Sequence, residues 1–293
     1  MTEKTQRAPE YFSGAFFCAF FKSIWACRRI YWDMAAFCIR KKEERYTLPN
    51  VYLSPSTQEG NPHITGGSEE QYMNKTADAL VPYLRASGIR YTRNDPEKSL
   101  SQAIAQSNLG KYDMHLALHS NAAPDGLSGR LRGIDVYYYP GSASGKRMAE
   151  ILVKNLKSIY PLPDRVRALA SRDIQEIKKV RAPAVLAEIG YHDNIEDSNF
   201  IKNDSDEIAR AIAASLSEYF GVPLADPGPV RKGIVTTGTT PLNIRDRPST
   251  SSKIIAKAPK GAEITVYGKT GDFYTVGYGG VTGYASAQYI TIM

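Results

Sequence analysis

From Tyr46 onward, short β-branched runs alternate with amphipathic stretches, and at Gly221 that alternation stops. Strands are predicted at Val51–Leu53, Ile89–Thr92, Met114–Leu118, Ile134–Tyr139 and Ala184–Ile189. Between them, Glu69–Ser87 has helical spacing and a stop at Gly88, with Pro82 inside predicting a kink or break. Ser142–Ile159 predicts a second helix. Asp204-x-x-Glu207 reads as the capping box of a third, whose stripe is Ile208, Ile212, Leu216 and Phe220. Strand–helix alternation of this kind dictates an α/β domain, with a mostly parallel sheet and helices on both faces. Residues 222–231, rich in Pro and Gly, predict a semi-rigid linker. Beyond them only short strands separated by turn residues remain, which predicts a small all-β barrel over residues 232–293.

Charge follows the same division. Residues 47–231 carry 21 Lys/Arg and 22 Asp/Glu, whereas residues 232–293 carry seven and three. A basic module beside a neutral one suits an anionic polymer, and the neutral α/β part argues against nucleic acid as that polymer. Cys18, Cys27 and Cys38 all precede residue 47, so the body of the chain has no thiolate for catalysis or metal binding. Its chemistry is left to His, Glu, Asp, Ser and Lys. No apolar stretch reaches the length of a membrane-spanning helix. The uncharged run Tyr11–Phe21 has the length of a signal-peptide core, but acidic Glu3 and Glu10 precede it. Residues 1–46 are read as an N-terminal extension, with an export or membrane-surface segment as the alternative.

Ligands of open α/β sheets bind beyond the carboxyl ends of the strands. There the sequence offers Ser54-Pro55-Ser56-Thr57-Gln58, then His119-Ser120-Asn121, then Glu188 with Tyr191-His192-Asp193-Asn194 behind it. Glu69 opens the helix after the first of these loops. Alone, Glu69 could serve the helix dipole and His119 could be a structural histidine. Glu188 is harder to dismiss, since a carboxylate in an apolar strand must be paired, metal-bound or catalytic. A histidine, a carboxylate ligand and a free carboxylate are the minimum of a hydrolytic zinc site.

These residues carry a resemblance. Asn50–Pro223 resembles the zinc-dependent N-acetylmuramoyl-L-alanine amidases of the α/β/α type. The matching pieces are Ser68-Glu69, His119-Ser120-Asn121-Ala122, and Ala187-Glu188-Ile189-Gly190-Tyr191-His192-Asp193-Asn194. The resemblance implies that Glu69 and His119 are Zn2+ ligands and that Glu188 is the catalytic carboxylate. In that family a His within Asp-Pro-Gly-His-Gly supplies a further ligand, and here the corresponding segment Ser54-Pro55-Ser56-Thr57-Gln58 has none. The loop resembles a subgroup with Gln at this place, which makes Gln58 the expected third ligand; His63 and His192 are the alternatives. Asn121 and Asn194 are expected to orient substrate or loop. Residues 232–293 resemble bacterial SH3-like wall-binding domains, through Pro241–Ser249 and Gly279–Tyr284, with Tyr267, Phe273, Tyr274, Tyr278 and Tyr284 as stacking surfaces or barrel core.

The implied activity is peptidoglycan hydrolysis at the amide joining the muramic acid lactyl group to L-alanine, by zinc-activated water with Glu188 carrying the proton. The implied partner is bacterial peptidoglycan, with no nucleic acid and no firm membrane association. The implied location is extracellular or in the wall, and the expected state is a monomer. The competing readings are a catalytically inactive wall-binding protein and a zinc peptidase acting within the stem peptide. Autolysin, spore enzyme and phage lysin all remain open on the sequence.

Overall fold

Strand β1 (Asn50–Pro55) is buried at every residue after the first and lies inside the first sheet, with a strand paired on either side. The computed structural model describes residues 48–293, which form one compact unit; the N-terminal extension of residues 1–46 lies outside the described residues. The first sheet has six strands: β1, β2 (Arg90–Arg93), β3 (Met114–Asn121), β4 (Ile134–Tyr138), β5 (Val166–Ala170) and β6 (Ala184–Tyr191). Their order is β2-β1-β3-β6-β4-β5. Every neighbouring pair is parallel except β4 with β6, so the sheet is mostly parallel, as predicted.

Side-chain alternation divides the sheet into two unlike faces. Val51, Leu53, Leu116, Leu118, Val185 and Ala187 point into the main core. There they meet helices α1 (Glu69–Ala86), α3 (Ala143–Lys157) and α6 (Ser205–Phe220). The other face carries a small apolar patch of Ala117, Ala184 and Leu186. Only the short helices α2 (Leu100–Leu109) and α4 (Gln175–Lys179) lie over it, and Ile177 of α4 joins the patch. By strand parity, Ser54, His115, His119, Asp135 and Glu188 project from this second face. The polar residues of the central strands are thus gathered on the thinly covered side.

One local expectation is narrowed and another corrected. Of the kink or break predicted at Pro82, the break is excluded, since helix α1 is continuous through this solvent-exposed residue. The carbonyl of Asp78, which Pro82 leaves without its helical donor, is also on the exposed side and can bond water. Asp204 heads α6, but its side chain makes no capping bond. Asp204 also ends helix α5 (Ile195–Asn203), so its backbone (φ −105°, ψ 23°) is not in the extended form that aims an N-cap side chain at the helix. The periodicity reading also passed over α2, β5, α4 and α5, which are short or half-exposed.

The C-terminal strands form a second, antiparallel sheet of seven: β7 (Arg231–Val235), β8 (Leu242–Arg245), β9 (Ile254–Ala258), β10 (Glu263–Thr270), β11 (Phe273–Tyr278), β12 (Val281–Ser286) and β13 (Ile290–Ile292). They lie in the order β13-β7-β10-β11-β12-β8-β9 around Val235, Ile244, Ile264, Val266 and Val276. This all-β module docks on the end of α1. The Tyr284 hydroxyl donates to the Ser87 carbonyl at 2.6 Å, and Thr275 Oγ1 donates to the Ala86 carbonyl at 2.6 Å. Both side chains are fully buried. They satisfy carbonyls that the end of a helix leaves free. Arg247 likewise donates to the Gly221 carbonyl after α6, and in the linker the Ala225 N–H donates to Ser87 Oγ. Tyr284, one of the aromatics proposed for stacking, is therefore wholly internal. Among the described residues, no helix is long and apolar enough to cross a membrane.

Candidate active site

At the carboxyl end of β3, the Nδ1 atom of His119 lies 2.8 Å from Oε1 of Glu69. Glu69 reaches this point because Ser68 caps α1, accepting from the Gln71 N–H, and because the Glu69 N–H itself bonds the Asn61 carbonyl. Its carboxylate is buried and crowded with donors: Asn61 Nδ2 at 2.7 Å on Oε2, and the Ser120 N–H at 3.4 Å on Oε1. Burial alone would lift its pKa, but the bonds from His119, Asn61 and Ser56 hold it below the usual carboxylate range.

Gln58 completes the cluster. Its terminal amide nitrogen is 3.3 Å from His119 Nδ1 and 3.4 Å from Glu69 Oε1, while its oxygen accepts from Asn61 at 3.1 Å. Three separate elements, the β1–α1 loop, the first residue of α1 and the end of β3, thus bring Gln58, Glu69 and His119 together. Among the described residues no three His, Cys, Asp or Glu side chains are grouped as a metal site.

The other two third-ligand candidates sit behind this cluster. His192 Nδ1 is 4.0 Å from Glu69 Oε2, but it is also 3.1 Å from both the carbonyl and the hydroxyl oxygen of Ser120. His63 is buried between Ser198 and Ser120, at 3.0 and 3.4 Å, and packs edge-on to Tyr72. Burial, helped by neighbouring His192, pushes the His63 pKa down to about 4, so it is neutral.

Glu188 stands opposite His119 in the β3–β6 register and opposite Asp135 in the β4–β6 register. Its Oε2 is shielded from solvent and has no hydrogen-bond partner within the protein. Burial is the main cause that lifts its pKa to about 7; the charge of His119 opposes this, and Glu69, Asp135 and Glu176 add to it. Two residues on, Gly190 adopts φ +76°, where the β3–β6 register slips. That left-handed turn, disfavoured for residues with a Cβ, lets the Tyr191 N–H reach buried Asp197 and the His192 N–H reach the Asn121 carbonyl.

Asn194 requires a correction. Its side-chain oxygen accepts from the Glu196 and Asp197 N–H groups and its amide donates to the Gly129 carbonyl, so it is the cap of α5. Buried, with its oxygen accepting twice and its amide donating to Gly129, it orders the loop and the start of α5. Asn121 is half-buried at the strand end, its side-chain oxygen accepting from the Ala122 N–H.

The sequence reading missed Glu176. This residue of α4 is buried against the second sheet face, with Oε1 accepting from Ser54 Oγ at 2.5 Å and facing His115 Nε2 at 3.0 Å. Its Oε2 is 3.3 Å from His119 Nε2. His119 therefore has a carboxylate at each ring nitrogen. Burial would drive it neutral, but the bonds to Glu176 and Glu69 outweigh that and raise its pKa to about 10. Glu176 is in turn held well below the ordinary carboxylate range, its bonds to the two histidines overriding its burial. No sequence signal marked it, because Asp173–Lys179 reads as a solvated charged turn. A cleft of about 230 Å³, walled by Ser56, Gln58, Asn94, His119 and Glu176, opens beside this cluster.

The profile of the bacterial SH3 domain matches residues 240–291. The N-acetylmuramoyl-L-alanine amidase CwlM of Bacillus licheniformis is 27% identical over 165 residues, covering 54% of this chain and 62% of that protein. The endolysin of Bacillus phage SPP1 is 25% identical over 173 residues, covering 55% and 61%. The chain thus spans about three fifths of the length of these relatives. Among solved structures, the catalytic domain of the CwlV amidase from Bacillus (Paenibacillus) polymyxa var. colistinus has a TM-score of 0.52 at 19% identity, covering 60% of this chain and all of that one. The amidase of Mycobacterium smegmatis scores 0.51 at 18% identity, covering 60% and 99%. At such identities the likeness is one of fold. The decisive match is the profile of N-acetylmuramoyl-L-alanine amidase over residues 55–218, more than half of the sequence, and the chain belongs to that family.

Proposed function

We propose that this protein hydrolyses peptidoglycan at the amide between the muramic acid lactyl group and L-alanine. In this reading residues 47–221 are the catalytic unit and residues 232–293 hold the wall, which places the protein extracellularly or in the wall itself. The observation that carries it is the meeting of Glu69 and His119 at 2.8 Å, with Glu188 opposite His119 across the β3–β6 pair.

The donor set suits a divalent cation. It offers a carboxylate oxygen, an imidazole nitrogen and, after a half-turn of the Gln58 amide, a carbonyl oxygen. The Gln58 amide lies 3.3 and 3.4 Å from His119 and Glu69, close enough for the three side chains to share one ion. Glu69, His119 and Gln58 would hold zinc, which when bound polarises a carbonyl and lowers the pKa of water toward neutrality.

The remaining steps belong to the chain. Ionised Glu188 takes the proton of the attacking water on its unpartnered Oε2, then delivers it to the leaving alanine nitrogen. A pKa near 7 suits both acts, since the group is a base at the start and an acid at the end. Asn61 and the Ser120 N–H keep Glu69 aimed at the rim while this occurs.

Purified peptidoglycan digested with and without a chelator, followed by mass analysis, tests the proposal. New alanine amino termini that depend on divalent metal are expected. Cleavage inside the stem peptide would make the protein a peptidase, and no release at all would leave it a wall binder.

A further inference from the structure

A continuous buried chain of polar groups runs from helix α2 to the rim. Ser107 Oγ meets His115 Nδ1 at 2.9 Å, and His115 Nε2 meets Glu176 Oε1 at 3.0 Å. Glu176 Oε2 faces His119 Nε2 at 3.3 Å, and His119 Nδ1 faces Glu69. Four elements contribute to it, and each of its members from Ser107 to Glu69 is buried. Nothing in the amidase motifs accounts for Glu176, which comes from a five-residue helix.

An ionised carboxylate accepts and never donates. Both imidazoles that face Glu176 must therefore carry hydrogen on Nε2. In His119, Nδ1 is the atom turned to Glu69 and Gln58, where a bound metal would take the place of its proton. The second contact also fixes the ring plane, because the bond to Oε2 and the bond toward Glu69 lie on opposite sides of the ring. A carboxylate on the far nitrogen of a ligating histidine is a recurrent means of setting its tautomer and basicity. Ser54 and His115 anchor Oε1, so Oε2 is held in place for His119 alone.

We propose that Glu176 is the positioning residue of the site, fixing His119 with its proton on Nε2 and its Nδ1 presented to the metal. This deepens the zinc reading above and rests on it for the metal, though the proton on Nε2 can be observed without metal.

The test uses the full-length protein and two variants. Glu176→Gln keeps the shape of the side chain but removes the charge and one acceptor oxygen. Ser54→Ala removes a neighbouring bond while leaving the carboxylate on both histidines. Zinc affinity by chelator competition and the visible absorption of bound Co2+ are compared, with long-range 15N–1H spectra reporting the protons on His119. We expect a protected Nε2–H in the wild type, metal-free or loaded. In Glu176→Gln we expect zinc affinity to fall about 10–100-fold with a changed Co2+ spectrum. Ser54→Ala, which leaves both histidine contacts of the carboxylate intact, should lose clearly less than Glu176→Gln in both. Glu176→Gln with unchanged affinity and spectrum overturns the assignment, as does an equal loss in both variants that tracks only their melting temperatures. Wild type that binds no metal sinks the zinc reading instead; the spectra then decide, and an unprotonated Nε2 on His119 overturns the role of Glu176 even if Glu176→Gln fails to fold.

Discussion

Glu188 and His119 face each other across the central β3–β6 pair, on the sheet face that only short helices cover. A carboxylate with a free oxygen therefore stands beside an imidazole already held by two other carboxylates. Glu188 Oε2 is thus unbonded while Gln58, Glu69 and His119 are joined to one another.

That separation predicts divided consequences for mutation. Glu188→Gln should lower amide cleavage by about 10²–10⁴-fold or more while leaving metal content near wild type. His119→Ala should lose both. Release of alanine amino termini and metal analysis on the same preparations check this, and retained lysis in Glu188→Gln would remove Glu188 from the mechanism.

Glu188 also predicts a pH dependence with a definite sign. Its pKa is about 7 in the fold against 4.5 for the free side chain, so the native state binds more protons than the unfolded one between those values. Stability from this group is complete below pH 4.5 and declines as pH rises through 7, by about 3 kcal/mol at most. Metal-free Glu188→Gln should therefore melt higher than wild type at pH 8 and equally at pH 4. Activity should rise as pH increases through about 7, as the base ionises.

The identity of the third donor is testable by exchange. Gln58→His should raise zinc affinity, because imidazole is the better zinc ligand, and Gln58→Ala should lower it. His63→Ala should alter stability more than metal binding, since that ring is bonded to Ser198 and Ser120. Competition titration with a chromogenic chelator reads all three variants.

Tyr284 joins the two sheets into one cooperative body. Tyr284→Phe should cost about 1–3 kcal/mol by leaving the buried Ser87 carbonyl without its donor. Gly88→Ala should also destabilise, because φ is +68° there and a Cβ would lie 2.4 Å from the Tyr284 hydroxyl. Denaturant melts followed by separate probes in each sheet should coincide in the wild type; a barrel that unfolds alone would show the docking to be weak.

The sequence by itself determined five of the six strands of the first sheet, its three long helices and the switch to an all-β module, because apolar periodicity directly records which face of an element is buried. It also pointed to Glu69, His119 and Glu188 together, since each lies at a strand end or helix start, where side chains of this fold class converge, and the fold brings Glu69 to His119 and sets Glu188 opposite His119. Tertiary structure alone decided the rest. Gln58, not His63 or His192, reaches the Glu69–His119 pair because loop geometry, not residue type, sets which head group arrives. Asn194 is a helix cap, which depends on where α5 begins. Glu176 was invisible in the chain because a charged residue in a short turn reads as solvated. Only the packing of α4 onto the second sheet face buries it, and burial next to two imidazoles is what gives that carboxylate a task.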